Sequence, residues 1–334
     1  MSKSHSEAES KPKSKPEDQL NDSDMLVAPR GAMGLTIMCL TIVFVAAWMT
    51  AQSQQQVNQE IAALSSSSGQ ETMRGFLDNA WFLPDEPLLG FVRIPSGPFL
   101  MGSNPALDRL AYENERWSGT RRQGTVQIDD FYIGLFEVTV AQFRVFTAES
   151  SGLANEVAAD IQGVMPVTNI TWPEALAYAR WLQQKLESSS DTPEELLSYL
   201  AAGGQVNIPS EAEWEKAARG TDGRIFPWGN TPSTELANYG SSKMLPVGSR
   251  LCAECAFGLQ DMSGNVWEFT RSPLQAYPYD PNDDAENLSE DALWVMRGGS
   301  FADNTGNVRA AVRGGVDPSV RNNTIGFRVV ISKP

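Results

Sequence analysis

Polar residues fill positions 1–30 almost without a break, and then Gly31 to Ala51 runs through 21 residues without a charge. At a rise of about 1.5 Å per residue, a helix of that length crosses the roughly 30 Å hydrocarbon layer of a bilayer. Five basic residues precede it (Lys3, Lys11, Lys13, Lys15 and Arg30), and none follows until Arg74. The positive-inside bias then leaves the N-terminus in the cytoplasm and everything after residue 51 on the far side. A cleaved signal peptide and a buried helix of a soluble core are the competing readings. The leader and the apolar core are long for the first, with no clean A-x-A after them, and the segment has no polar face for the second. The expectation is a disordered cytoplasmic tail (1–30) and one transmembrane helix (31–51) in the cell's inner membrane. A Gln- and Ser-rich spacer (52–87) and a periplasmic or otherwise extracytoplasmic domain (88–334) follow.

Inside that domain the pattern changes to short alternating runs broken by Gly, Pro and Asn, with three segments of helical period. Each of these opens on a capping box, in which a Ser or Thr hydroxyl accepts an orphan N–H while a Glu or Gln three residues on reaches back. The boxes are Thr139 with Gln142, Thr171 with Glu174, and Ser210 with Glu213. They predict helices reaching about Glu149, Glu187 and Arg219, and Trp172, Leu176, Ala179, Leu182 and Leu186 form the buried stripe of the second. Phe91 to Ile94, Val126 to Ile128 and Phe327 to Ile331 read as strands. The fold class is α+β with little regular secondary structure.

Charge narrows the range of partners. The chain carries a net charge of −15, and from Gly75 onward 20 Lys/Arg face 33 Asp/Glu. Such a field repels a phosphate backbone, and no basic stripe offsets it, so nucleic acid is not expected. Of three cysteines, Cys39 lies in the apolar run, leaving Cys252 and Cys255 in the domain; the one histidine is His5, in the tail.

Eight segments in order carry a resemblance over residues 88 to the end. They are FVRIPSGPFLMGSN (91–104), FYIGLFEVTVAQFRVF (131–146), MPVTNITWPEALAYARWL (165–182), IPSEAEWEKAARG (208–220), FPWGN (226–230), FGLQDMSGNVWEFT (257–270), RGGSF (297–301) and GFRVV (326–330). Together they resemble the formylglycine-generating, or sulfatase-modifying factor, family. The resemblance implies one domain with a C-type-lectin-like core, often stiffened by calcium. Copper-dependent members place two cysteines shortly after RGGS, where soft thiolates hold Cu(I). Here RGGS is followed by FADNTGNVRAAVR, with Asp303 where the first cysteine is expected and no cysteine after Cys255. Other relatives hold iron through histidines, and this domain has none. Neither copper nor iron is therefore expected.

Asp261 and Glu268 stand seven residues apart around a Gly-containing turn, a layout that aims hard oxygen donors at one point. By resemblance, a structural calcium takes the Asp261 and Glu268 side chains and the Gly264 and Val266 carbonyls; a hydrogen-bonded turn without metal is the alternative. The family's second calcium site, near Asn238 and Tyr239, is followed here by a stretch lacking any acidic residue. Cys252 and Cys255 form half a zinc site with nothing to complete it; a local disulfide, free thiols and a redox pair remain as readings. By resemblance, Trp267, Arg297, Ser300, Asp303, Arg309 and Arg313 surround the substrate groove, although each also has a structural explanation as core or as an internal ion pair.

Three functions remain. The first is a membrane-tethered, non-catalytic binding or accessory module that recognises a protein, peptide or small ligand through the groove. The second is an oxidoreductase with altered chemistry acting on a protein or metabolite. The third is a structural component of an envelope complex.

Overall fold

The computed structural model describes residues 80–83, 86–150, 161–284 and 292–333. The tail, the apolar segment 31–51 and the spacer as far as residue 79 lie outside the described residues. Among those described, no helix is long and apolar enough to cross a membrane.

Among the described residues ten strands form three sheets. In chain order they are β1 (Phe91–Ile94), β2 (Gly97–Met101), β3 (Gly124–Ile128), β4 (Phe131–Gly134), β5 (Gln205–Asn207), β6 (Trp267–Pro273), β7 (Trp294–Arg297), β8 (Gly314–Val316), β9 (Ile325–Gly326) and β10 (Val330–Ser332). One sheet has the antiparallel order β1-β4-β10-β5, β2 and β3 make a hairpin, and the third runs β8-β7-β6-β9 with only β6 and β9 parallel.

Among the described residues four α-helices accompany them: α1 (Val140–Glu149), α2 (Trp172–Ser188), α3 (Glu194–Ala201) and α4 (Glu211–Arg219). All three capping boxes are formed, with both halves of each in place. Helix α3 carries no box: its N-cap is Pro193, which makes no side-chain cap, so no local signal announced it.

The predicted stripe of α2 is buried throughout, but Tyr178 and Trp181 are buried as well. The apolar face is wider than one stripe because α2 packs against α1 on one side and the sheet strands on the other. Phe143 and Phe146 of α1, Tyr178 and Trp181 of α2, and Phe327 meet there with ring centroids 5.2–6.3 Å apart. Trp172 stacks on Trp294 of β7 at 4.3 Å and donates its indole N–H to the Thr270 carbonyl of β6, tying helix to sheet.

The expected strand over Phe327 to Ile331 is split. Ile325–Gly326 pairs with β6 in one sheet and Val330–Ser332 with β4 and β5 in another, so residues between them step from sheet to sheet. Arg328 sits at that step, wholly buried, bonded to Glu268 of β6 and to the Gly134 carbonyl of β4. A buried guanidinium that needs partners on both sides holds the chain out of either ladder.

Candidate functional site

Helix α4 organises this half of the molecule. All nine of its residues are buried, five of them ionisable. A buried charge is tolerated only when paired and hydrogen-bonded, and each has found partners from distant parts of the chain. Glu211 accepts from Arg297 at 3.2 Å and from Arg313 at 2.6 and 2.8 Å. Glu215 accepts from Arg297 at 2.6 Å, Arg219 at 2.8 Å and the Gly102 N–H at 2.7 Å. Burial pushes the Glu213 carboxyl up, but Arg271 beside it overrides that and holds it below the usual range. Lys216 donates to the Pro95 and Gly97 carbonyls.

The six residues expected around a groove fall into three knots. Arg297 and Arg313 belong to the α4 network, Arg297 lying over the Trp214 ring and also donating to the Ala310 and Ala311 carbonyls. Arg309 is fully buried and donates to Asp108 at 2.6 Å and to both oxygens of Glu115 at 2.7 and 2.6 Å.

Trp267, Ser300 and Asp303 make the third knot. The chain turns at Gly298 and Gly299, both at positive φ; a Cβ on Gly299 would lie 2.4 Å from the Asn307 carbonyl oxygen. That turn brings Asp303 Oδ2 within reach of the Ser300 N–H at 3.0 Å, the Ser300 hydroxyl at 2.6 Å and the Trp267 indole N–H at 2.9 Å. Asn307 donates to Oδ1 at 2.8 Å. Both oxygens of the residue standing where the first cysteine was expected are thus engaged in holding the loop.

The 261–268 loop is bent through positive φ at Asp261, Gly264 and Asn265. A Cβ on Gly264 would lie 2.2 Å from the Asn238 carbonyl oxygen, so this close approach requires glycine. Asp261 accepts the Gly248 N–H. Glu268 is fully buried and committed elsewhere, accepting from Arg328 at 2.6 Å on each oxygen and from the Trp214 indole at 2.7 Å. Beside them lies Glu137, buried, with Oε1 accepting from Asn265 and Oε2 without a partner. Burial pushes the Asp261 carboxyl up to about 6, and burial together with the neighbouring Asp261 charge raises Glu137 well above its ordinary value.

As a cation site this donor set fits in part. Asp261 and the orphaned Glu137 oxygen are hard donors, whereas Arg328 already neutralises Glu268. Among the described residues no group of three acidic, His or Cys side chains is arranged so that it could hold a metal ion. Just before this loop, Cys252 and Cys255 are joined as a disulfide with Cα atoms 5.3 Å apart.

An open cleft of about 450 Å³ lies to one side of these knots. Arg313 is the one expected groove residue that lines it; the others on its walls include Glu113, Arg116, Trp117, Arg121, Gln275 and Tyr277. These were not singled out from the sequence. The available signal was a tryptophan among three arginines at 116–122 in a strongly acidic chain.

Comparison with known proteins agrees with this architecture. The description of a sulfatase-modifying factor enzyme 1-like domain matches residues 83–333. Hercynine oxygenase of Mycolicibacterium smegmatis is 29% identical over 71% of this chain, which spans 60% of that protein's length. The inactive C-alpha-formylglycine-generating enzyme 2 of Bos taurus is 28% identical over 77% of this chain and 93% of its own. Among solved structures, PvdO from Pseudomonas aeruginosa superposes with a TM-score of 0.58 at 23% identity, over 72% of this chain and 94% of PvdO, a likeness of fold. With the fold, the capped helices and the ordered segments in agreement, this chain belongs to the family of sulfatase-modifying factor enzyme 1-like domains.

Proposed function

We propose that this chain is a membrane-anchored, extracytoplasmic member of its family that serves as a non-catalytic binding or accessory module. The observation that carries this reading is Asp303. It stands at the position where copper-dependent relatives are expected to begin their thiolate pair, and its two oxygens accept from Ser300, Trp267 and Asn307 as a loop staple. The likeness to an inactive formylglycine-generating enzyme along nearly that whole protein supports the same reading. The 31–51 segment supplies the anchor, and the cleft beside Arg313 supplies a surface for a protein or peptide partner.

Calcium, in this reading, is structural. It draws on the Asp261 side chain and the Gly264 and Val266 carbonyls, and Glu137 is better placed than Glu268 to complete it, because Arg328 occupies Glu268. The bound ion would hold the 261–268 loop against the segment at Asn238, which already bridges to Gly264.

The likeness to hercynine oxygenase favours a second reading, an oxidoreductase whose metal is held without cysteine or histidine. One experiment separates the two. The full-length chain is incubated with a sulfatase-type cysteine peptide and oxygen, the peptide is followed by mass spectrometry, and bound metals are measured. The expected result is an unchanged cysteine and no stoichiometric copper or iron. Conversion to formylglycine, or oxygen-dependent turnover with a stoichiometric redox metal, would overturn the proposal. Capture of partners from solubilised membranes, repeated with Arg121→Ala, distinguishes it from a structural envelope component, which would keep every partner.

A further inference from the structure

The lining of the cleft is basic in a strongly acidic chain. Arg116, Arg121 and Arg313 line it against one lining carboxylate, Glu113, in a chain of net charge −15, and of the three only Arg121 is largely exposed. Arg313 is neutralised from behind by Glu211. Arg116 and Arg121 both converge on Glu113, Arg116 at 2.7 Å, and the Glu113 and Arg121 side chains are 65% and 67% exposed. The Arg121–Glu113 pair, exposed on both sides, contributes little to stability and is cheap to open, whereas Arg116 is 22% exposed and also donates to the Ala111 carbonyl at 2.8 Å. Arg116 also has a buried Nε–H with no acceptor.

The aromatic wall, by contrast, is rigid. Trp117 donates its indole N–H to the Met101 carbonyl and packs flat on Gly124, where an added Cβ would lie 2.1 Å from the ring. Its ring stacks at 5.7 Å on Tyr277, which in turn lies under the Arg313 guanidinium at 4.1 Å. The turn that places Arg121 is closed by the Arg121 N–H on the Trp117 carbonyl and the Trp117 N–H on the Arg122 carbonyl. A fixed aromatic wall beside the exposed Arg121 guanidinium, with Arg116 held behind it, is a recognition surface for a carboxylate carried next to an apolar group.

We infer that this cleft binds an acidic peptide segment end-on or side-on through its carboxylate. Glu113 is the internal stand-in for that carboxylate: in the complex Arg121 turns from Glu113 to the ligand, Arg116 keeps Glu113 and the Ala111 carbonyl, and the neighbouring apolar side chain packs against Trp117. About 450 Å³ falls within the range of roughly 300–1,000 Å³ usual for small-ligand sites, enough for a short peptide stretch rather than a folded surface. This inference rests on the binding-module reading and adds the ligand's chemistry to it.

The test uses the full-length chain, solubilised and immobilised, and an equimolar library of N-acetyl tripeptides with an aromatic middle residue. One half of the library ends in free carboxylates and the other in amides; within each, Asp and Glu are matched by Asn and Gln. Retained peptides are counted by mass spectrometry. The expected result is enrichment of carboxylate over amide members by about tenfold, the size of one or two charge-assisted hydrogen bonds. The enriched half identifies whether a terminal or a side-chain carboxylate is read.

Arg121→Gln removes most of that enrichment, and Glu113→Gln, which deletes the internal competitor, raises retention several-fold. Both positions are exposed, so folding is not at issue. Equal retention of acidic and neutral members overturns the inference and leaves the module's binding role standing. Retention of no peptide by either the natural chain or Glu113→Gln also overturns it. Failure of the binding-module reading itself would show elsewhere, as metal-dependent turnover.

Discussion

Trp267 donates its indole N–H to Asp303 at 2.9 Å, and the same carboxylate oxygen takes the Ser300 N–H and hydroxyl. The aspartate therefore ties β6 to the turn after β7, and its removal strands four donors, the Asn307 amide on its other oxygen included. Asp303→Ala is expected to cost about 1–3 kcal/mol, the penalty for unsatisfied buried groups, measured by urea denaturation with tryptophan emission as the probe. A variant as stable as the natural chain would mean that the glycine turn alone holds this loop.

Arg297 is a structural residue by its contacts: fully buried, it serves Glu211, Glu215 and two carbonyls. Arg297→Met leaves two buried carboxylates short of a cation, and a loss of about 3–5 kcal/mol is expected. Adding Glu215→Gln to it should recover part of that loss. If the double variant is no more stable than the single, the charge pairing is not what the arginine supplies.

Burial pushes the Asp284 carboxyl up to about 6, although Ser272 and Tyr279 donate to it. The folded chain thus keeps a proton that the unfolded chain releases near pH 4. The contribution of this group to stability is present at low pH, falls as pH rises towards about 6, and is flat beyond. Asp284→Asn should gain on the natural chain by about 1–3 kcal/mol between pH 4 and pH 6.5. Parallel stability profiles for the two proteins would contradict this.

Calcium binding at the 261–268 loop predicts a melting temperature that depends on the ion. At a concentration about a hundredfold above Kd the increase should be about 5 °C or more for a domain of this size. Asp261→Asn should remove it, and magnesium should not reproduce it, being reluctant to give up its octahedral water shell. Identical melting in calcium and in chelator would reject the site.

Much of the fold was legible because its signals are local. A Thr or Ser and the residue three positions on meet across a single turn whatever surrounds them, so the starts of α1, α2 and α4 could be read directly. Helix α3, capped by no side chain, could not. The stripe of α2 was visible as a 3.6-residue period, but its width was not, since that depends on how many neighbours pack around it.

The candidate site was legible as a set of residues and not as a surface. By itself the amino-acid order determined the family, the capped helices, the Gly-containing turn between Asp261 and Glu268, and the lack of histidine in the domain and of cysteine after Cys255. The tertiary structure alone decided which charges meet. Glu211 and Arg313, 102 positions apart, or Arg309 and Glu115, 194 apart, have no local pattern that links them. Their pairing turns a helix that reads as half charged into one buried on every side, and of the expected arginines it leaves only Arg313 on the open cleft, beside Trp117 and Arg121. The physical reason is that desolvating a charge is so costly that position in space, set by the whole chain, determines whether an arginine is a ligand site or an internal strut.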